Sequence, residues 1–283
     1  MKFPGRTAPF SFGDFSNKLT VGILLTLCLA FVFPFCWMVF ASFKSDAAIF
    51  SPFPFWPDSW DGSHYVALLT GKWIPYPRQF LNSLSIAMGQ TILATTFACS
   101  AGYVFAKFTF PGRKPLFAMA VLTVLIPRQV LLLPLFSWMH TLALLDNPLA
   151  VILPGSVSGI GILWFTAVFR RLPDGLADMA RCEGAGEYRI YVMTLPLIKP
   201  ALIAFALIQF ILSWQEHLIP LVMISTENRF TAPMGLSSLN AGNFRVPYGI
   251  LMAGCALTLI PTALLFIFTR RHFRSALKHL TEP

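Results

Sequence analysis

Residues 209–220 read QFILSWQEHLIP, which places Gln209, Ser213, Trp214, Gln215, Glu216 and His217 inside an otherwise apolar run. Amide and hydroxyl groups hydrogen-bond a polar solute, an indole gives it a platform, and a carboxylate in apolar surroundings is costly unless paired. A second polar break, Pro127-Arg128-Gln129 in LIPRQVLLLP, contains a guanidinium that suits that carboxylate. Counted from residues 115 and 201, Arg128 and Glu216 lie 13 and 15 positions along their runs. At 1.5 Å per residue both are about 20 Å from one edge, which predicts a shared depth and a direct or water-bridged ion pair. Two readings of Arg128 remain open: a helix lining a wet cavity, or an arginine snorkelling to the outer surface.

The other charged cluster is RCEGAGEYRIYVMTLPLIKP, residues 181–200, with three basic and two acidic side chains in a chain only 12% charged. Constellations for bond-making chemistry are missing from the sequence. His64, His140, His217, His272 and His279 are scattered with no HExxH, and the middle residue of GSVSG is Val157 rather than a serine nucleophile. The five cysteines form no CxxC pair and read as small apolar packing residues. No GxxxxGK[ST] phosphate loop exists, so a machine using ATP would hydrolyse it on another chain.

The elements that must position these residues follow from composition. Of the 283 residues 56% are hydrophobic and the mean hydropathy is +0.67, which excludes disorder and an ordinary soluble domain. Six runs, 19–43, 81–106, 115–139, 149–169, 200–224 and 246–269, reach the roughly 20 apolar residues that cross a bilayer. The expected fold is all-α: a polytopic membrane protein with six transmembrane helices in one domain over residues 1–283. The first run exceeds a signal-peptide core and is expected to remain as an anchor.

Lys and Arg number fifteen in the N-terminus, 107–114, 170–199 and the C-terminus, against five in 44–80, 140–148 and 225–245. By the positive-inside rule both termini and the 170–199 loop face the cytoplasm. The net charge of +9 therefore reads as topology and anionic-lipid contact, not nucleic-acid binding. Gly155 and Gly159 stand at GxxxG spacing, for packing within the chain or for a dimer face. Prolines 34, 127, 134, 154 and 261 fall inside the runs and predict kinks.

In the 170–199 loop Pro173 and Asp174 start a short helix, with the Asp174 carboxylate available to cap free amides. Gly184 and Gly186 permit a bend, a second helix follows from Glu187, and Pro196 and Pro200 end it before the fifth run. Two helices and a glycine hinge exceed what a connector needs and predict a docking knob.

That segment resembles the EAA loop of ABC importer permeases, E-A-A-x-x-x-G-x(9)-I-x-L-P. Asp178-Met179-Ala180 occupies the first slot, Gly184 the glycine, Met193 the isoleucine, and Leu195-Pro196 the end. The chain is similar to the carbohydrate-uptake branch, the maltose-type second permease, also through SAGYVFAKFTFPGRKPLF, LIPRQVLLLPLF, LLDNPLAVILP, SWQEHLIPLV, TAPMGLSSL and RRHFRSAL. It lacks that branch's closing GLT…G.

The resemblance implies a type I importer permease in a bacterial inner membrane, not itself an enzyme. It would pair with a second related permease, two cytosolic ATPase subunits that bind ATP and Mg2+, and an extracytoplasmic solute-binding protein. Asp178, Ala180, Glu183, Gly184, Ala185, Gly186, Glu187 and Tyr188 would dock and couple to an ATPase. Arg128, Gln129, Gln209, Ser213, Trp214, Gln215 and Glu216 are the candidate translocation path. Their chemistry suits a sugar or oligosaccharide, and equally a glycerol-phosphate-like or other small polar solute. An ion-coupled secondary carrier would show internal repeats, and none is evident.

Overall fold

The computed structural model describes residues 12–50, 55–57, 59–240 and 247–281. The helices are α1 (Phe12–Ala41), α2 (Asp46–Ile49), α3 (Ser63–Leu69), α4 (Tyr76–Lys107), α5 (Arg113–Leu125), α6 (Leu132–Thr141), α7 (Pro148–Gly155), α8 (Gly159–Arg170), α9 (Asp174–Cys182), α10 (Glu187–Thr194), α11 (Lys199–Trp214), α12 (Leu218–Met223), α13 (Ala232–Ser238) and α14 (Tyr248–Thr281). No strand occurs among the described residues. Both tips of the chain lie outside them, as do residues 51–54, 58 and 241–246.

The chain divides into two compact units, residues 1–66 with 247–256, and residues 67–246 with 257–283. In the first, every side chain from Leu19 to Cys36 on α1 is exposed. A helix apolar on all sides and exposed on all sides needs an apolar solvent, which a bilayer supplies. After α1 the chain is held by aromatic edges, Phe40 on Trp56 at 4.6 Å and Phe43 on Trp60 at 5.2 Å. The Asp46 carboxylate accepts the Gly249 N–H at 2.8 Å, meeting a free donor in the first turn of α14.

The second unit is organised along α4. Its buried positions Gln79, Ser83, Ile86, Ala87, Gln90, Ala94, Ala98 and Gly102 recur every three or four residues, giving one face of small and amide side chains. Small residues let backbones approach where lipid offers no hydrophobic drive between helices. A Cβ on Gly102 would sit 2.5 Å from Phe165 Cβ, so α8 lies directly on this stripe.

Among the described residues four helices, Leu19–Ala41, Tyr76–Lys107, Glu187–Trp214 and Tyr248–Phe268, are long and apolar enough to cross a membrane, or up to six when each of two bent pairs is counted as one span. The third expected span, 115–139, is not straight: α5 and the segment from Arg128 to Thr141 meet at 103°. Pro127 forces Ile126 into extended backbone (ψ 119°), ending α5. The fourth bends by 42° between α7 and α8.

The fifth span, expected over 200–224, stops at Trp214, and α12 starts at Leu218. A helix through Glu216 would drive the Pro220 ring into the Glu216 carbonyl. At the other end the expected stop at Pro196 and Pro200 is absent. Pro196 sits in a 3₁₀ turn, Leu195–Ile198, and Pro200 in the first turn of α11, where a missing N–H costs nothing. Residues 187–214 therefore form one 28-residue helical rod.

Candidate functional site: the charged elbow and the polar breaks

The loop singled out by its charges is an elbow between α9 and α10. The Ala185 N–H donates to the Ala180 carbonyl at 3.0 Å and the Gly184 N–H to the Arg181 carbonyl at 2.9 Å. This paired bonding closes α9 and requires a left-handed residue just past its end. Gly184 fills that position at φ +82°, so the glycine is demanded by backbone geometry, not by crowding, since a Cβ there would meet nothing within 4 Å. Gly186 is extended and caps α10.

Arg181 spans the elbow. Its Nε and Nη2 donate to the two Glu187 oxygens at 2.7 and 3.3 Å, and its Nη1 donates to Asp178 Oδ1 at 2.8 Å. These carboxylates push the guanidinium pKa above its already high ordinary value. Asp178 and Glu187 therefore stand in a network with Arg181 rather than projecting singly. Tyr188 and Met179 are the open apolar groups, 80% and 68% exposed, with Glu183, Gly184 and Gly186 also exposed and Ala180 and Ala185 half-buried.

Lys107, the last residue of α4, fixes the entrance to the elbow. Its ammonium donates at 2.7 Å to the Leu172 carbonyl and at 2.7 Å to Asp174 Oδ1. This corrects the expected capping role: Asp174 makes no cap at the start of α9, because the neighbouring ammonium takes its carboxylate. The Lys107 hydrogen bond and charge hold the Asp174 pKa below its ordinary value. Tyr191 fixes the exit, its ring 5.1 Å from Tyr103, with Tyr103 5.1 Å from Phe169. Ile198 is buried in the same cluster with Tyr191 and Leu195 packed against it, so the rod is rooted in the α4–α8 core.

Arg128 and Glu216 stand at the two breaks, with Nη1 and Oε2 3.4 Å apart. The other Glu216 oxygen accepts the N–H groups of Leu218 and Ile219, which opens α12. Gln129 and Gln215 beside them are exposed. The remaining path candidates are placed otherwise. Gln209, Ser213 and Trp214 are 4%, 7% and 4% exposed. Trp214 stacks on Phe210, meets Phe80 edge-on, and donates to the Thr258 carbonyl at 3.0 Å. Gln209 donates to the Gly155 carbonyl at 3.4 Å, opposite Gln90, whose Nε2 would lie 2.1 Å from a Cβ on Gly155. Gln209 and Trp214 thus satisfy buried carbonyls where neighbouring helices cross, whereas the buried Ser213 hydroxyl has no hydrogen-bond partner among the described residues. The Gly155–Gly159 pair likewise packs within the chain, Gly159 against Thr123 and the Ala120 carbonyl.

Three residues escaped the sequence reading. Arg181 and Lys107 were legible only as positive charge. Asp146 lies in left-handed backbone (φ 58°) and accepts from the Ser225 and Thr226 amides, the Thr226 hydroxyl and Arg229, which lowers its pKa to about 2. Of the cysteines only Cys99 is buried among the described residues, so the packing role holds poorly for Cys28, Cys36 and Cys182, which are exposed.

An elbow of this form on a membrane bundle defines a class, and comparison with known proteins identifies it. Residues 94–279 match the family of the binding-protein-dependent transport system inner membrane component, and the chain belongs to that family. It is 34% identical over 267 residues to the arabinooligosaccharides transport system permease protein AraQ of Halalkalibacterium halodurans, covering 92% of this chain and 93% of that one. It is 30% identical to the lactose transport system permease protein LacG of Rhizobium radiobacter, with 86% and 88% covered. It is also 30% identical to the sn-glycerol-3-phosphate transport system permease protein UgpE of Pectobacterium atrosepticum, with 89% and 92% covered. A crystal structure of a bacterial ABC transporter involved in alginate import contains a chain of the same fold, at TM-score 0.81 and 20% identity, covering 94% of this chain and all of that one. The chain is the transmembrane permease subunit of an ABC importer.

Proposed function

We propose that this chain is the second permease of a carbohydrate importer and receives the work of ATP hydrolysis at the Asp178–Tyr188 elbow. A related permease completes the pathway, two ATPase subunits supply closure, and an extracytoplasmic binding protein delivers the solute. The chain sits in a bacterial inner membrane with both termini in the cytosol, as the excess of basic residues on that side supports.

One observation carries the reading: α10, the exit arm of the elbow, runs unbroken into the Glu187–Trp214 rod, which ends beside Glu216. At 1.5 Å per residue 28 residues span roughly 42 Å, so a displacement of α10 reaches the opposite polar break without an intervening flexible joint. The exposed Arg128, Gln129 and Gln215, with the half-buried Glu216 beside them, suit a hydroxyl-rich solute. Relatives named for arabinooligosaccharide and lactose transport support a sugar.

The relative named for sn-glycerol-3-phosphate keeps a phosphorylated polyol as the second reading. The test is proteoliposome uptake by the copurified complex, offered arabinooligosaccharides, lactose and sn-glycerol-3-phosphate with the cognate binding protein. ATP-dependent uptake of a saccharide is expected. Uptake of the phosphate ester alone moves the assignment to the second reading, and uptake driven by an ion gradient without ATP overturns both.

A further inference from the structure

The elbow contains a mechanical contradiction unless something stiffens it. Its backbone crosses two glycines, Gly184 and Gly186, the softest residues available for a joint. On one side α9 has nine residues, below the length at which an isolated helix is stable in water, and on the other α10 opens the 28-residue rod. The anchoring is also uneven. α10 roots through Tyr191, packed on Tyr103 and Phe169 in the α4–α8 core, whereas α9 buries Ala177 and is held at its start by Lys107. A push received on α9 would be absorbed by the hinge.

We propose that Arg181 is a positioning residue for coupling: it braces α9 against the first turn of the rod so that the elbow moves as one piece. The geometry fits a brace. The Nε–Nη2 edge of the guanidinium grips both oxygens of Glu187, the first residue of α10, while Nη1 on the opposite side holds Asp178 one turn back on α9. A planar fork with five donors can hold both carboxylates at fixed angles, which a lysine ammonium on a flexible stem cannot. Asp178 and Glu187 are thereby set as parts of the brace, and Tyr188 and Met179 are left as the groups that meet a partner. This assignment rests on the elbow being the ATPase-docking site.

The test uses the membrane complex in nanodiscs with Arg181→Gln, Arg181→Lys, Glu187→Gln and the Arg181→Gln/Glu187→Gln double variant. Amide hydrogen exchange is followed over residues 183–188, together with the fraction of ATPase retained on the tagged permease. A bidentate surface network of this kind predicts exchange about fivefold faster in Arg181→Gln and in Glu187→Gln. The double variant is expected to be no worse than either single one, and Arg181→Lys intermediate, with exchange in α4 and α11 unchanged. ATPase retention falls in the same order.

Unchanged exchange at 183–188 in Arg181→Gln overturns the brace. So does ATPase loss in Arg181→Gln with full retention in Glu187→Gln, because Arg181 would then be touching the ATPase itself. Failure of the docking reading looks different: no ATPase is retained by the unsubstituted chain, while the exchange pattern of the variants still reports the brace.

Discussion

Arg128 Nη1 and Glu216 Oε2 lie 3.4 Å apart, and each sits where a transmembrane run is interrupted by a nearby proline. The pair thus ties two discontinuous helices together at their breaks. Arg128 is 57% exposed at its side chain and Glu216 15%, so the charge attraction itself is modest, about 0–1 kcal/mol for an exposed pair. Its worth is in fixing which break faces which.

Reversing Arg128→Glu places two carboxylates together and is expected to reduce transport more than Arg128→Gln does. Arg128→Glu/Glu216→Arg should recover part of the loss, not all, because the arginine cannot accept the Leu218 and Ile219 amides that Glu216 now holds. Uptake rates of the single and double variants in proteoliposomes check this. No recovery would remove the pair from the account.

Lys107→Met is expected to loosen the entrance of the elbow by about 1–2 kcal/mol, the cost of an unmet charged hydrogen bond to the Leu172 carbonyl. Asp174→Asn should be much milder, because Asp174 is 81% exposed and water replaces its partner. Hydrogen exchange over residues 171–177 distinguishes the two, and equal effects would contradict the assignment of the carbonyl as the main partner.

Gly184→Val requires a β-branched residue at φ +82° and is expected to cost about 1–2 kcal/mol at the elbow. Gly184→Asn should be better tolerated, because asparagine enters left-handed backbone more readily and the space beside Gly184 is open. ATPase retention is predicted to fall with Val and to hold with Asn. Equal loss with both would point to crowding against a partner instead of backbone strain.

Asp146 predicts a pH dependence with a definite sign. Its folded-state pKa is lowered to about 2 by the Thr226 hydroxyl and amide, the Ser225 amide and Arg229. A depressed carboxylate stabilises above its ordinary pKa and loses that contribution as pH falls through the folded value. Its share is therefore constant across neutral pH and disappears only in strong acid. Asp146→Asn keeps the left-handed backbone but lowers the thermal midpoint at neutral pH, and the gap between variant and unsubstituted chain should close as pH approaches 2.

Much of this was legible because its causes are local. Six apolar runs specify membrane crossings by length and composition, and Gly184 with Pro173 marks the elbow because turn chemistry is short-ranged. The Arg128–Glu216 pairing was also within reach, since helical rise converts sequence distance into depth. The rest depended on which helix faces which. Gln209 and Trp214 look like solute groups in one dimension, yet the chain spends them on the Gly155 and Thr258 carbonyls, acceptors 54 and 44 residues away. Pro196 and Pro200 read as breakers, but their position in opening turns lets the rod run through. Asp146 carried no signal, because its partners lie 79 to 83 residues further on.

The central claim is that ATPase work enters this permease at the elbow, and site-directed cross-linking tests it most directly. With this chain's native cysteines replaced, Ala185→Cys is alkylated with benzophenone maleimide and irradiated in membranes containing the complete importer, so that the benzophenone inserts into a C–H bond of whatever lies beside it. The account predicts a covalent adduct between this chain and its ATPase subunit, absent when the cysteine is placed instead at Gln129 beside Arg128. No ATPase adduct from Ala185→Cys, in a complex that still transports, would contradict it.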